Sequence, residues 1–118
     1  MNMRSFAERV GLSPHTLRYY EKIGLLSNVQ RNTSGHRDYS QKDIDWITFV
    51  KRLKETGMPL SEIQGYAQLR ALGADTAQQR QQLLERHKKS LQAHIELQQS
   101  HLAALETKIN LYKDNKVT

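Results

Sequence analysis

After Gly73 the chain has no further glycine and no proline, and over residues 76–112 it repeats itself in sevens. Leu84, Leu91, Gln98, Leu105 and Tyr112 recur at heptad spacing, and Lys88, Ile95, Leu102 and Ile109 interleave with them in a 4,3 alternation. The stretch is dominated by Gln, Leu, Ala, Lys, Glu and His, mostly acceptable or good helix formers, so it is expected to be one helix with Thr76 or Asp75 as its N-cap. At ~1.5 Å rise per residue such a helix is roughly 55 Å long. That exceeds the width of a small domain, so its own chain cannot cover the apolar stripe, and a second copy is expected to do so. Leu84, Leu91, Ile95, Leu102, Leu105 and Ile109 are the candidate dimer seam, interrupted by polar Lys88 and Gln98. The heptads leave parallel and antiparallel pairing open.

The remaining length bounds the rest. A chain of 118 residues allows one small domain plus this appended helix. With 37% apolar and 25% charged residues it can build a modest core. No run approaches the ~18 apolar residues of a membrane span, and the first five residues lead into no apolar signal segment, so a cytoplasmic protein without membrane association is expected. There are no cysteines, which excludes disulfides, thiolate metal sites, cysteine nucleophiles and thiol redox sensing within the chain. No phosphate-binding glycine loop, His-Glu-x-x-His or Gly-x-Ser-x-Gly motif appears, and an enzyme is not expected. The net charge of +6 favours a polyanionic partner. Eleven basic and seven acidic residues lie in 1–72 against seven and five thereafter, so the first part is the better nucleic-acid surface.

That first part reads as short helices separated by turn signals. Met3, Phe6, Ala7 and Val10 share one helical face over residues 2–10, and Gly11 supplies a left-handed stop. Ser13-Pro14 pairs a preferred N-cap with a preferred first helical residue and opens a helix to Lys22, ending before Gly24. Asn32, Ser34 and Gly35 are turn formers between two short strands, a small wing over residues 30–39. Ser40 with Asp43 resembles a capping box that opens a helix carrying Ile44, Ile47, Val50 and Leu53. Gly57-Met58-Pro59 stops it, and a further helix runs from Leu60 to about Ala71. The expected organisation is a mainly α fold: a DNA-binding domain over 1–72, a linker at 73–75, a coiled-coil helix over 76–113 and a short tail at 114–118.

Two short helices joined by Gly11-Leu12 match a helix-turn-helix, whose second helix enters the major groove. His15 and Thr16, near that helix's start, are placed to reach base edges, and Arg18 to pair with guanine or phosphate. Tyr19 and Tyr20 point about 100° apart, which suits one to the core and the other to a phosphate. The wing adds Arg31, His36, Arg37 and Tyr39 beside the phosphate track, with Asp38 on the opposite side of the strand.

Thr16-Leu17-Arg18-Tyr19-Tyr20-Glu21-Lys22-Ile23-Gly24-Leu25-Leu26, Ser34-Gly35-His36-Arg37-Asp38-Tyr39 and Gly57-Met58-Pro59-Leu60-Ser61-Glu62-Ile63 together resemble the MerR family of bacterial transcription regulators. The resemblance is close over residues 1–72 and extends in kind to the long helix. It implies a winged helix-turn-helix, an antiparallel coiled-coil homodimer, and promoter DNA as partner. It also implies a mechanism in which the dimer distorts the spacer between two promoter elements so that RNA polymerase engages both. It places Thr16, Arg18 and Tyr19 on the recognition helix, Arg37 and Tyr39 on the first wing, and Lys54 near the second. The alternatives are a non-specific DNA binder and a coiled-coil adaptor.

The family's cysteine-based metal and redox sensors have no counterpart here, and only residues 113–118 follow the coil where drug-sensing members carry a ligand domain. No cofactor or metal is expected, and the inducer is unknown. His87, His94 and His101 recur one heptad apart, ~10.5 Å along the axis, too far for two of them to ligate one ion unless a partner chain completes each site. They are expected to flank the interface or face solvent.

Overall fold

The computed structural model describes residues 1–27 and 29–117; position 118, the end of the expected tail, lies outside them. Five α-helices and one two-stranded sheet follow each other as α1 (Met3–Val10), α2 (Pro14–Lys22), β1 (Gln30–Arg31), β2 (Arg37–Asp38), α3 (Gln41–Glu55), α4 (Leu60–Ala71) and α5 (Ala77–Lys113), with a 3₁₀ turn at Ala74–Thr76. The chain forms two compact units that divide between Leu83 and Leu84.

The helix boundaries of the first unit follow from local chemistry. Asn2 caps α1 by accepting from the Ser5 N–H (2.9 Å). Gly11, at φ 69°, ends it in the left-handed region, its N–H on the Ala7 carbonyl. Ser13 caps α2 through the Thr16 N–H (3.1 Å), with Pro14 in the first turn. Ser40 and Asp43 form a full reciprocal capping box at α3. The wing strands pair antiparallel, Gln30 with Asp38 and Arg31 with Arg37. Their turn is held by the Asn32 side chain, which accepts from the N–H groups of Ser34 (3.0 Å) and His36 (3.1 Å).

Each of these helices buries one face. Phe6 and Val10 from α1, Leu17 and Tyr20 from α2, Ile47, Val50 and Leu53 from α3 and Ile63 from α4 make a common core with Leu25 and Leu26. Polar contacts then fix α3 and α4 on the helix-turn-helix. Lys51 Nζ donates to the Val10 carbonyl (2.7 Å), a cation at the negative end of α1. Trp46 Nε1 donates to the Leu25 carbonyl (2.6 Å), and Gln64 Nε2 to the Ile23 carbonyl (3.2 Å). The segment leaving α2 is thereby tied at two points.

At the start of α5 the expectation for Thr76 is corrected. Its side chain is buried and its hydroxyl donates backward, to the carbonyls of Leu69 (2.5 Å) and Gly73 (2.8 Å). Arg80 adds bonds to the Thr76 hydroxyl (3.1 Å) and the Gly73 carbonyl (3.3 Å). Thr76 closes the end of α4, where carbonyls are left over, instead of opening α5.

Within the second unit α5 continues as one helix to Lys113, and no residue anywhere along its length is buried. Among the described residues no helix is long and apolar enough to cross a membrane.

Candidate nucleic-acid interface

Helix α2 sorts its polar residues outward by angle alone. His15 and Arg18 are exposed and Thr16 is half-buried, while Leu17 and Tyr20 face the core. The adjacent tyrosines separate as a helical offset demands: Tyr19 is 47% exposed and Tyr20 only 3%. The Thr16 hydroxyl accepts from the Ser13 hydroxyl (3.0 Å), which leaves its own proton for an acceptor outside the helix.

The end of α2 gathers one cation from each flanking element. Glu21 Oε1 accepts from Arg37 Nε of the wing (2.8 Å), a bond that does not use the terminal guanidinium nitrogens. One residue earlier, the Tyr20 hydroxyl accepts from Lys54 Nζ of α3 (3.1 Å), and the same ammonium lies 5.4 Å from the Tyr20 ring centroid. Arg37 and Lys54 are both exposed, so each keeps donors for a phosphate.

The wing arginines sit opposite each other across the strand pair, and each is drawn elsewhere. Arg31 donates to the Gly35 carbonyl (2.8 Å) and Arg37 to Glu21. The carboxylate of Asp38 lies 2.6 Å from the Met1 ammonium. Both wing-side carboxylates therefore stand beside a positive charge, and Arg18, Lys22 and His36 remain exposed around them.

Tyr39 departs from expectation. It is 2% exposed and stacks on Phe6 with ring centroids 4.3 Å apart, so it belongs to the core and does not stand beside Arg37 on the surface. The physical reason is the aromatic partner: Phe6 offers a flat apolar face, and the Tyr39 N–H bonds the Met1 carbonyl (2.8 Å), which seats the strand end against α1. Its hydroxyl is buried without a hydrogen-bond partner among the described residues. Burial raises its pKa above 10.0, with Glu21 adding to the shift and Arg37 opposing it.

Sequence reading missed the Glu21 and Tyr20 tethers and the Lys51 cap. Each links residues 16, 34 or 41 positions apart, beyond any local pattern.

On α5, Leu84 and Leu91 are half-buried, whereas Ile95, Leu102, Leu105 and Ile109 are 46%, 57%, 61% and 50% exposed. His94 and His101 are exposed, and among the described residues no group of three or more His, Cys, Asp or Glu is placed to hold a metal ion.

Comparison with known proteins agrees with this geometry. Residues 1–69 match the model of the MerR HTH family regulatory protein, and residues 44–108 match the MerR, DNA binding model. An HTH-type transcriptional regulator of Haemophilus influenzae is 38% identical over 110 residues, 93% of this chain and 82% of that protein. A crystal structure of a MerR family regulator of Listeria monocytogenes superposes with TM-score 0.88 at 33% identity, over 96% of this chain and 86% of the other. HiNmlR, a MerR family regulator lacking the sensor domain and crystallised on promoter DNA, gives TM-score 0.83 at 36% identity, over 98% and 91%. The chain belongs to the MerR family of helix-turn-helix transcriptional regulators.

Proposed function

We propose that this chain is a sequence-specific regulator of transcription that binds double-stranded promoter DNA as a homodimer. The observation that carries the reading is the pair of tethers at the end of α2, which hold Arg37 of the wing and Lys54 of α3 beside the last turn of the recognition helix. His15, Thr16 and Arg18 read base edges in the major groove, and Tyr19, Arg37 and Lys54 hold flanking phosphates. Tyr39 supports the wing from beneath. Family membership and the DNA-bound relative support the same assignment.

The dimer seam is Leu84, Leu91, Ile95, Leu102, Leu105 and Ile109. A two-fold dimer presents two recognition helices to half-sites about one turn, ~34 Å, apart. Clamping both ends lets the protein hold a distorted spacer, whose bending costs on the order of 1–6 kcal/mol, and so control how RNA polymerase meets the promoter. An inducer of unidentified chemistry switches the two states.

The test is selection of random duplexes by the purified full chain at near-physiological salt. An enriched inverted repeat with half-sites one turn apart is the expected result. Binding without enrichment that fades steeply with salt would identify a non-specific binder. No DNA binding would leave the coiled-coil adaptor.

A further inference from the structure

The leucine and isoleucine seam takes up only part of the apolar surface of α5. A second row recurs in sevens at Leu97, Ala104 and Leu111, with Ser90 at its head, on a helix continuous to Lys113. It lies about 130° around the helix from the middle of the seam, so its side chains point away from any helix paired there. Leu97 is 54% exposed and Leu111 37%.

The neighbouring rows set the chemistry of this outer face. Towards the seam lie His87, His94, His101 and Lys108, and on the far side lie Arg86, Ala93, Ser100 and Thr107. Ser90, Ala93, Ser100 and Ala104 are small, so the backbone of another helix can come close and set its own apolar side chains around Leu97 and Leu111. Arg86 and Lys108 stand near opposite ends of the face, roughly 33 Å apart along the axis. None of these three rows contains a carboxylate, because Glu85, Glu96 and Glu106 all fall on the other side of α5, among Lys89, Gln92 and Gln99.

An apolar row framed by cations and free of carboxylates is complementary to one kind of occupant: an amphipathic helix whose leucine-like row is flanked by Asp or Glu. A second copy of this chain does not supply one. The side of α5 that carries the glutamates has no leucine or isoleucine, and the apolar faces of α1 to α4 turn into their own core. A lipid surface fits less well, since two leucines among alanines and serines give little apolar area to insert.

We propose that this outer face of α5 is a docking site for an acidic amphipathic helix of another protein, a contact through which a protein partner reaches the regulator. The site depends neither on how α5 pairs through its seam nor on which DNA the first unit binds.

The probe is a labelled synthetic helix of about 21 residues, long enough to span Arg86 to Lys108, with leucines on one face and glutamates on both flanks. Fluorescence anisotropy with the purified full chain is expected to show saturable binding about tenfold tighter than that of a scrambled peptide of the same composition, weakening as salt rises. Leu97→Glu is expected to weaken binding by about tenfold while light scattering and circular dichroism stay those of the parent. R86E with K108E is expected to lose the acidic helix and to gain a version with lysine in place of glutamate, a reversal that a folding defect does not produce. Equal binding of the scrambled peptide would overturn the proposal. Full binding by Leu97→Glu would place the peptide elsewhere and overturn it too. Sedimentation with phosphatidylglycerol vesicles that Leu97→Glu abolishes would make the face a lipid surface, again overturning it. Duplex selection is expected to be unchanged by Leu97→Glu, so failure of the docking site and failure of the DNA-binding reading are separate results.

Discussion

The two units of this chain use similar residues to opposite ends. In the first, helices of eight to fifteen residues turn Phe6, Leu17, Ile47, Val50 and Ile63 onto one another, and every helix has a buried face. In the second, a helix with as regular a stripe of leucine and isoleucine buries nothing. Apolar content does not distinguish them; the turn residues do. Gly11, Gly24, Gly35 and Gly57 interrupt the chain at intervals of 11 to 22 residues, so each apolar face finds another of its own chain. After Gly73 no glycine or proline turns the chain, and no residue of the α5 stripe is buried. A core closed within one chain does not depend on concentration, whereas a stripe covered by a second copy, as proposed above, would gain its burial only by mass action.

The sharpest way to break this contrast is to charge the seam. Leu91→Glu with Leu102→Glu is expected to give monomers by light scattering and to lower affinity for a two-half-site duplex by about 10²–10⁴-fold, because bivalency is lost. Thermal unfolding of the first unit should survive, and an intact dimer would refute the seam.

Ile47→Ala probes the other side. It leaves a cavity in a closed core and is expected to cost about 2–5 kcal/mol by denaturant unfolding, independent of protein concentration. An unfolding cost for Ile47→Ala that varied with protein concentration would erase the distinction between the units.

Smaller effects sharpen the roles within the interface. Arg18→Ala should cost about 1–3 kcal/mol and relax preference at one base position, read by repeating the duplex selection. Arg37→Ala should weaken all sequences alike and reduce the slope of log affinity against log salt by about 1. Uniform weakening by the first, or altered preference by the second, would exchange the two assignments.

The smallest effect is at Tyr39. Removing its partnerless hydroxyl in Tyr39→Phe should leave stability unchanged or raise it by about 1 kcal/mol, with DNA affinity nearly constant. A large loss of affinity would show that the hydroxyl emerges to meet a phosphate. The folded chain holds the Tyr39 proton more tightly than the unfolded chain does. The stabilisation this brings is complete below about pH 10 and is lost as pH rises past it, through the raised folded value. Thermal melts above pH 10 should fall less steeply in Tyr39→Phe.

Much of the architecture was legible from the residues. The caps at Ser13 and Ser40 and the left-handed Gly11 act over three or four residues, a range in which chain connectivity alone brings the groups together. The division of Tyr19 from Tyr20 was legible as an angle, though which of the two faced the core was not. Tyr39 was misread because strand alternation places it on the side of Arg37 but does not say that Phe6 lies there. Thr76 was misread because a threonine before a helix resembles an N-cap, while the carbonyls it serves belong to the helix behind it.

The sequence by itself determined where most of the helices begin and end, which faces are apolar, and that α5 carries a regular apolar stripe. These follow from interactions between near neighbours, from turn residues and from period. Only the tertiary structure decided that Glu21 holds Arg37, that Tyr20 holds Lys54 and that Lys51 closes α1. Those pairs join groups far apart in the chain, whose meeting depends on how several helices pack at once and on no one segment's preference.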